Sequence, residues 1–349
     1  MSNSKLILVT GASGFIGAHV VAQLLEAGYR VRGTARGAKL DLLKATFGSN
    51  ANFEVAPIDD VASGDFTAAL QGVDAVIHLA SPLAGRQSAE DGLNSAIQGT
   101  LNVLQQALKA GITKVVYTSS WATTVDPELK ATWTGVMITE KDWGKTSKEE
   151  LLNNPKIVEN PIFVYCGTKT LAERAAWDFA KEHPELDLAS INPPFVYGPP
   201  VPGIYSGTDY TSLGTNLLLY QLIAGASGRP LPVQLPPYYC HVRDAARAHI
   251  LALDVPKVAV GADVEQKRFI VAGPGEILNE WAVETLLAKR PALKDRLPTL
   301  EGAPELPGKL STVDTARARE VLGLKEYKGA EETLLETVDA LLEIEKAWQ

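Results

Sequence analysis

The stretch Thr10-Gly11-Ala12-Ser13-Gly14-Phe15-Ile16-Gly17 limits the fold of this chain more than any other. Its glycines have GxxGxxG spacing, and its setting gives that spacing meaning. Before it, Leu6 to Thr10 reads as a buried strand; after it, Ile16, Val20, Val21, Leu24 and Leu25 repeat with helical period across Phe15 to Ala27, up to Gly28. A strand, a glycine turn and a helix in that order open a βαβ unit that takes a dinucleotide. Gly11 allows the tight turn, Gly14 lets backbone approach a pyrophosphate, and Gly17 lets helix and strand pack closely. The helix N-terminus then presents free N–H groups and the positive end of its dipole to the phosphates. Ser13, Phe15 and Ile16 complete this cofactor-binding turn.

The same alternation continues. Arg30 to Ala35, Asn52 to Ala56, Ala75 to Leu79, Lys114 to Ser119 and Leu186 to Asn192 read as further core strands. Glu90 to Ala110 and Phe163 to Lys181 read as helices, while the pattern loosens between Trp121 and Pro161. The fold expected is α/β, a Rossmann-type doubly wound parallel sheet with a smaller C-terminal substrate-binding lobe. Residues 1–193 would hold NADP(H) and the catalytic groups; residues 194–349 would be mainly the substrate lobe, interleaved with the core. Prolines and glycines after Pro193 mark loops around a site, and Val242 to Leu253, Ile277 to Ala288 and Thr333 to Glu345 read as helices.

The end of the second strand decides which dinucleotide is expected. An NAD site places Asp or Glu there to bond the ribose 2′-OH. This chain has Arg36 instead, with Lys39 nearby. A guanidinium can fork onto a 2′-phosphate, and an ammonium can add a point charge, so the expected cofactor is NADPH/NADP+.

Tyr165 and Lys169 are four residues apart on a helix, so they share one face. Thr118, Ser119 and Ser120 close the fifth strand at its carboxyl edge, where open parallel sheets bind ligands. The three side chains Ser120, Tyr165 and Lys169 suit carbonyl reduction. A phenol with an ordinary pKa of about 10 is a poor acid–base catalyst near neutrality, and a neighbouring ammonium stabilises its phenolate and is expected to lower that pKa. Lys169 would supply that charge and hold the nicotinamide ribose, and Ser120 would orient the substrate oxygen.

With these motifs the chain resembles the extended short-chain dehydrogenase/reductases, in the branch of dihydroflavonol 4-reductase, cinnamoyl-CoA reductase and fungal NADPH-dependent aldehyde/ketone reductases. The resemblance also rests on Thr34-Ala35-Arg36, His78-Leu79-Ala80-Ser81-Pro82, Gly99-Thr100-Leu101-Asn102-Val103-Leu104, Glu140-Lys141-Asp142-Trp143, Tyr165-Cys166-Gly167-Thr168-Lys169 and Asn192-Pro193 with Gly198-Pro199. It implies that Asp60 and Val61 flank the adenine, that Leu79, Ala80 and Ser81 line the cofactor groove, and that Thr118 and Pro193 lie by the nicotinamide. It aligns Ser120 with the family's catalytic serine, Ser119 being the neighbouring alternative. The branch commonly spaces its second basic residue one position further from the arginine than Lys39 is from Arg36. Nucleotide-sugar epimerases share the glycine loop and YxxxK but more often keep an acid after the second strand; Arg36 and Ile191-Asn192-Pro193-Pro194 resemble the reductase pattern. An NAD-dependent nucleotide-sugar epimerase/dehydratase and a non-catalytic NADP(H)-sensing module are the alternatives.

Composition narrows the partners. A formal net charge of −8 over 349 residues argues against nucleic acid or an anionic membrane. Two cysteines, Cys166 and Cys240, suit packing in a reducing compartment. The five histidines have no metal-ligand spacing, so no metal site is expected. No apolar run would span a bilayer, and Lys5 is followed at once by a strand rather than a signal peptide, which points to a cytoplasmic monomer or homodimer acting on a small-molecule carbonyl substrate. Candidate substrate loops are Pro82 to Gln87, Trp121 to Val125 and Val201 to Asp209, with Tyr205, Tyr210, Tyr238 and Tyr239 as pocket or packing residues.

Overall fold

A computed structural model describes residues 5–81, 88–205, 207–259 and 261–348. The loop expected at Pro82 to Gln87 and position Ser206 of the Val201 to Asp209 loop lie outside the described residues. In chain order the strands are β1 (Leu6–Thr10), β2 (Arg30–Ala35), β3 (Phe53–Pro57), β4 (Ala75–His78), β5 (Lys114–Thr118), β6 (Met137–Ile138), β7 (Asp187–Asn192), β8 (Phe195–Tyr197), β9 (Tyr239–His241), β10 (Arg268–Ile270) and β11 (Thr312–Val313). The helices are α1 (Phe15–Glu26), α2 (Ala38–Phe47), α3 (Ala89–Lys109), α4 (Lys148–Asn153), α5 (Pro155–Val158), α6 (Pro161–Glu182), α7 (Leu217–Ile223), α8 (Val242–Asp254), α9 (Asn279–Lys289), α10 (Ala316–Glu320) and α11 (Ala330–Lys346).

Seven strands make one sheet in the order β10-β7-β5-β4-β1-β2-β3, with every pairing parallel. Every residue of β1, β4 and β7 is buried, the mark of strands covered on both faces. Each fully buried Val, Leu or Ile there contributes about 1.5–3 kcal/mol relative to exposure. On one face α1 packs against α8 over Val9, Val31, Val116 and Ile191; on the other α3 packs against α6 over Leu8, Val76, Val115 and Leu188. The strand order turns around at β1, flanked by β2 and β4, so the switch point of the sheet lies at the glycine turn.

The helix carrying Tyr165 begins two residues earlier than its apolar period suggests. Asn160 caps it by accepting from the amides of Ile162 and Phe163, and Pro161 fills the first helical position, where its missing N–H costs nothing. The helix α2 is absent from the apolar pattern because it buries only Leu43 and Phe47. The seventh strand, β10, comes from beyond residue 193 and is three residues long, opening with the fully buried Arg268. Together β10 and α8 place parts of the C-terminal half inside the sheet assembly. The remainder forms a smaller cluster in which α7, α9 and α11 contribute Leu219, Leu286, Leu334 and Val338. Two short parallel pairs stitch distant segments together, β8 with β9 and β6 with β11.

Candidate active site

The glycine turn shows why its residues lack side chains. Gly11 has φ +67°, in the left-handed region that glycine enters freely. A Cβ on it would lie 2.9 Å from the Ala80 amide nitrogen, and one on Gly17 would lie 2.1 Å from the Gly11 carbonyl oxygen. The Gly14 amide donates to that carbonyl at 2.8 Å. Gly14 is the N-terminal cap of α1 and puts no side chain across the helix end. A flat, uncapped helix start at the switch point fits a pyrophosphate. Beside it, Thr10 Oγ1 accepts from the amides of Leu79 and Ala80 at 3.2 Å and lies 2.7 Å from His78 Nδ1. This ties the expected groove residues Leu79 and Ala80, just past the end of β4, to the glycine turn.

At the other end of the cleft, Arg36 is exposed just past β2, and its guanidinium donates to the Asp59 carbonyl at 3.3 Å. Gly37, at φ +53°, turns the chain so that the exposed Lys39 falls in the first turn of α2. Asp60 accepts from the Ala62 amide at 3.0 Å and from Ser63 Oγ at 2.7 Å; these bonds, with Arg36 nearby, hold its carboxyl below the usual carboxylate range. The Asp60–Gly64 loop is braced by Asn102, which stands in the quoted Gly99–Leu104 motif with no role assigned to it, and by Gln106, which the motifs do not include. Asn102 donates to the carbonyls of Val61 (2.9 Å) and Gly64 (3.0 Å), and Gln106 donates to Gly64 at 2.8 Å. Their four-residue spacing on α3 was the available signal.

The Ser120, Tyr165 and Lys169 side chains meet at the carboxyl end of β5. Burial pushes the Tyr165 phenol up to about 12, with the Ser120 hydroxyl beside it pulling the other way; the lowering by Lys169 expected from the sequence is outweighed by desolvation. The Lys169 ammonium donates to the Thr118 carbonyl at 3.3 Å and stands 5.8 Å from the Tyr117 ring centroid. Burial lowers Lys169 to about 8, against the pull of the Glu173 carboxylate. Next to it His78 stacks on Tyr117, and burial with the Lys169 charge drives its ring down to about 3, so it stays neutral.

Adjacent residues of the same strand end face elsewhere. The Ser119 hydroxyl donates to Glu173 at 2.7 Å, inside the core. The Thr118 hydroxyl sits 2.7 Å from His249 Nε2, while its carbonyl faces Lys169. Of the two serines, Ser120 is the one beside the phenol. Pro193 is buried at the end of β7 and accepts from the Trp121 amide at 2.9 Å.

On the substrate side, Trp121–Thr124 forms a buried 3₁₀ turn directly after Ser120. Tyr238 and Tyr239 are core residues, donating to the carbonyls of Ser311 (2.7 Å) and Pro274 (3.0 Å). Tyr205 is bound to Ser212 at 2.7 Å, and Tyr210 is exposed. Cys166 and Cys240 are buried thiols, both pushed up by burial. Among the described residues no group of three or more His, Cys, Asp or Glu is placed to hold a metal ion, and no helix is long and apolar enough to cross a membrane.

Comparison with known proteins matches residues 7–265 to the NAD dependent epimerase/dehydratase family. The chain is 33% identical to the ketoreductase azaE of Aspergillus niger, covering 93% of this chain and 94% of that one. It is 30% identical to the NADPH-dependent methylglyoxal reductase GRE2 of Saccharomyces cerevisiae, covering 97% and 98%. Among solved structures it is similar to Gre2 of Candida albicans in complex with NADPH, with a TM-score of 0.83 and 31% identity over 97% of this chain and 99% of that one.

Proposed function

The chain belongs to the NAD dependent epimerase/dehydratase family, as an extended short-chain dehydrogenase/reductase, and from that membership we propose that it is an NADPH-dependent carbonyl reductase converting an aldehyde or ketone into an alcohol. The observation that carries the reading is the meeting of Ser120, Tyr165 and Lys169 beside the switch point of the sheet. The residues around it suit NADPH. The bare start of α1 would hold the pyrophosphate, Arg36 would hold the 2′-phosphate with Lys39 adding charge, and Asp60 and Val61 would border the adenine. Leu79, Ala80, Ser81, Thr118 and Pro193 would line the way to the nicotinamide.

Bound NADPH supplies a hydride to the carbonyl carbon. The protein must place and protonate the oxygen. Tyr165, with its pKa pushed up to about 12, carries its proton at neutral pH and gives it to the oxygen as the C–O π pair becomes an alkoxide pair. Ser120 donates a hydrogen bond to the same oxygen and fixes its direction. Lys169, at about 8, is mostly an ammonium at pH 7 and stabilises the phenolate left behind. The neutral His78 ring keeps a second positive charge away from Lys169.

A panel of activated aldehydes and ketones, run with NADPH and NADH in parallel, tests the reading. NADPH should be consumed, and Tyr165→Phe should abolish turnover while retaining NADPH binding. Wild-type rates in Tyr165→Phe would overturn the mechanism. Conversion of a UDP-sugar with retained NAD and no net cofactor turnover would mark an epimerase, and tight binding without turnover across the panel would mark a sensing module.

A further inference from the structure

Behind Ser120 lies a polar cluster closed off from solvent. Glu173, one helical turn beyond Lys169, is fully buried and accepts from Ser119 Oγ (2.7 Å), Asn192 Nδ2 (2.9 Å) and Trp177 Nε1 (3.1 Å). Arg268 of β10 is equally buried, with its Nε 2.9 Å from Glu173 Oε1 and its guanidinium 3.7 Å from the Trp143 ring centroid. Its other N–H groups reach the carbonyls of Glu140 and Asp142 (2.6 Å each), Thr123 Oγ1 (2.7 Å) and the second Glu173 oxygen (3.4 Å). All five guanidinium donors therefore have acceptors. Buried ion pairs are often no more stabilising than apolar residues of the same volume. What this one supplies is a fixed geometry.

That geometry converges on a single backbone group. Asn192 Nδ2 lies 3.2 Å from the Ser120 carbonyl and 3.2 Å from Thr123 Oγ1, besides its bond to Glu173. Thr123 Oγ1 donates to the same Ser120 carbonyl at 2.8 Å. On either side, the Ser119 amide donates to Ile191 and the Trp121 amide to Pro193, both at 2.9 Å. Ser120 is thus clamped at its carbonyl and at both neighbours, in an extended conformation at φ −154° and ψ 147°.

We propose that Asn192 is a positioning residue for Ser120: with Thr123 it fixes the Ser120 carbonyl, and the Glu173–Arg268 pair fixes Asn192. A side chain on the edge strand β10 thereby sets the direction of the hydroxyl that meets Tyr165. The inference rests on the reductase reading above. Its energetic logic is that misplacing a reacting group by 1 Å costs on the order of 100-fold in rate.

Asn192→Ala removes the amide and keeps the Glu173–Arg268 pair. In the NADPH-linked assay its kcat should fall roughly 10- to 100-fold, with the carbonyl KM and the NADPH Kd within about threefold of wild type. The decisive measurement is the double-mutant cycle with Ser120→Ala. If Asn192 acts through Ser120, then adding Asn192→Ala to Ser120→Ala should change kcat less than about twofold. Recurrence of the full loss in that background overturns the inference and leaves the reductase reading standing. If Asn192→Ala fails to fold, Thr123→Val removes the other bond to the Ser120 carbonyl, and its cycle is read in the same way. A wild-type protein that fails to oxidise NADPH with every carbonyl of the panel sinks the reductase reading and this inference with it.

Discussion

Replacing Gly17 by alanine tests the cofactor cleft at its narrowest point. The new Cβ would sit 2.1 Å from the Gly11 oxygen and 2.9 Å from the Gly11 carbonyl carbon, where ordinary contact begins at 3.4 Å. The gap must open by 3.4 − 2.1 = 1.3 Å, and both sides are backbone. The turn has no room to retreat, since a Cβ on Gly11 would already be 2.9 Å from the Ala80 amide nitrogen. Alanine adds up to about 1 kcal/mol of helix propensity. A 1.3 Å shift of the turn would remove about two N–H hydrogen bonds to a bound phosphate, at about 1.5–3 kcal/mol each. The loss of affinity then exceeds any gain in the helix: about 3 kcal/mol, or roughly 100-fold in Kd. Fluorescence titration with NADPH measures it directly. Gly99→Ala on α3 is the control, because its Cβ would meet nothing nearer than Val61 Cγ1 at 3.6 Å. That variant should keep its NADPH Kd and hold or gain stability. A Gly17→Ala protein binding NADPH within threefold of wild type would refute the reasoning.

Arg36→Ala should weaken NADPH by about 1.5–3 kcal/mol, some 10- to 100-fold in Kd, and leave NADH almost unchanged; equal effects on both would remove Arg36 from the 2′-phosphate. The rate of carbonyl reduction should hold through neutrality and fall as pH rises through the Lys169 value of about 8, with Tyr165 still protonated at about 12; a pH–rate profile that stays level to pH 10 contradicts this. The fold should weaken in mild acid. His78 at about 3 and His249 at about 4 are held by burial below the ordinary 6.5, so the unfolded chain takes up protons first as pH falls. Their contribution is complete above pH 6.5 and drains away toward those lower values, about 2 kcal/mol from each ring by pH 5. Urea unfolding at pH 7 and pH 5 should differ accordingly, and identical midpoints would count against neutral buried rings.

What the sequence disclosed, and what it hid, follows from how each element pays its desolvation. Strands such as Leu6–Thr10 are continuous apolar runs covered on both faces, so composition alone exposes them. The edge strand Arg268–Ile270 is as deeply buried, but Lys267 and Arg268 are tolerated there only because partners wait: Asp187 for the lysine, Glu173 for the arginine. No local pattern reports a partner that is 95 positions away. The helix Ala38–Phe47 escaped for the opposite reason, being so exposed that its apolar stripe is two residues wide. In the site, Tyr165 and Lys169 were legible because one helix sets their spacing. Ser119 and Ser120 were ambiguous because a strand end points neighbours to opposite sides, and only the packed position of Glu173 separates them. The clamp on Ser120 draws on α6, β7 and β10, and such a meeting of distant segments has no signature in any one of them.

The order of the sheet also bears on how the protein is made. Synthesis releases six of the seven strands, together with Glu173, well before Arg268 leaves the ribosome. Until then the carboxylate lacks its guanidinium partner, and one flank of β7 offers an open row of amides and carbonyls to any neighbouring chain. Domains that mature from the N-terminus during translation usually close early. This one must wait for its edge strand, and a nascent chain halted after Asn192 would present a sticky, incomplete sheet to the cell's chaperones.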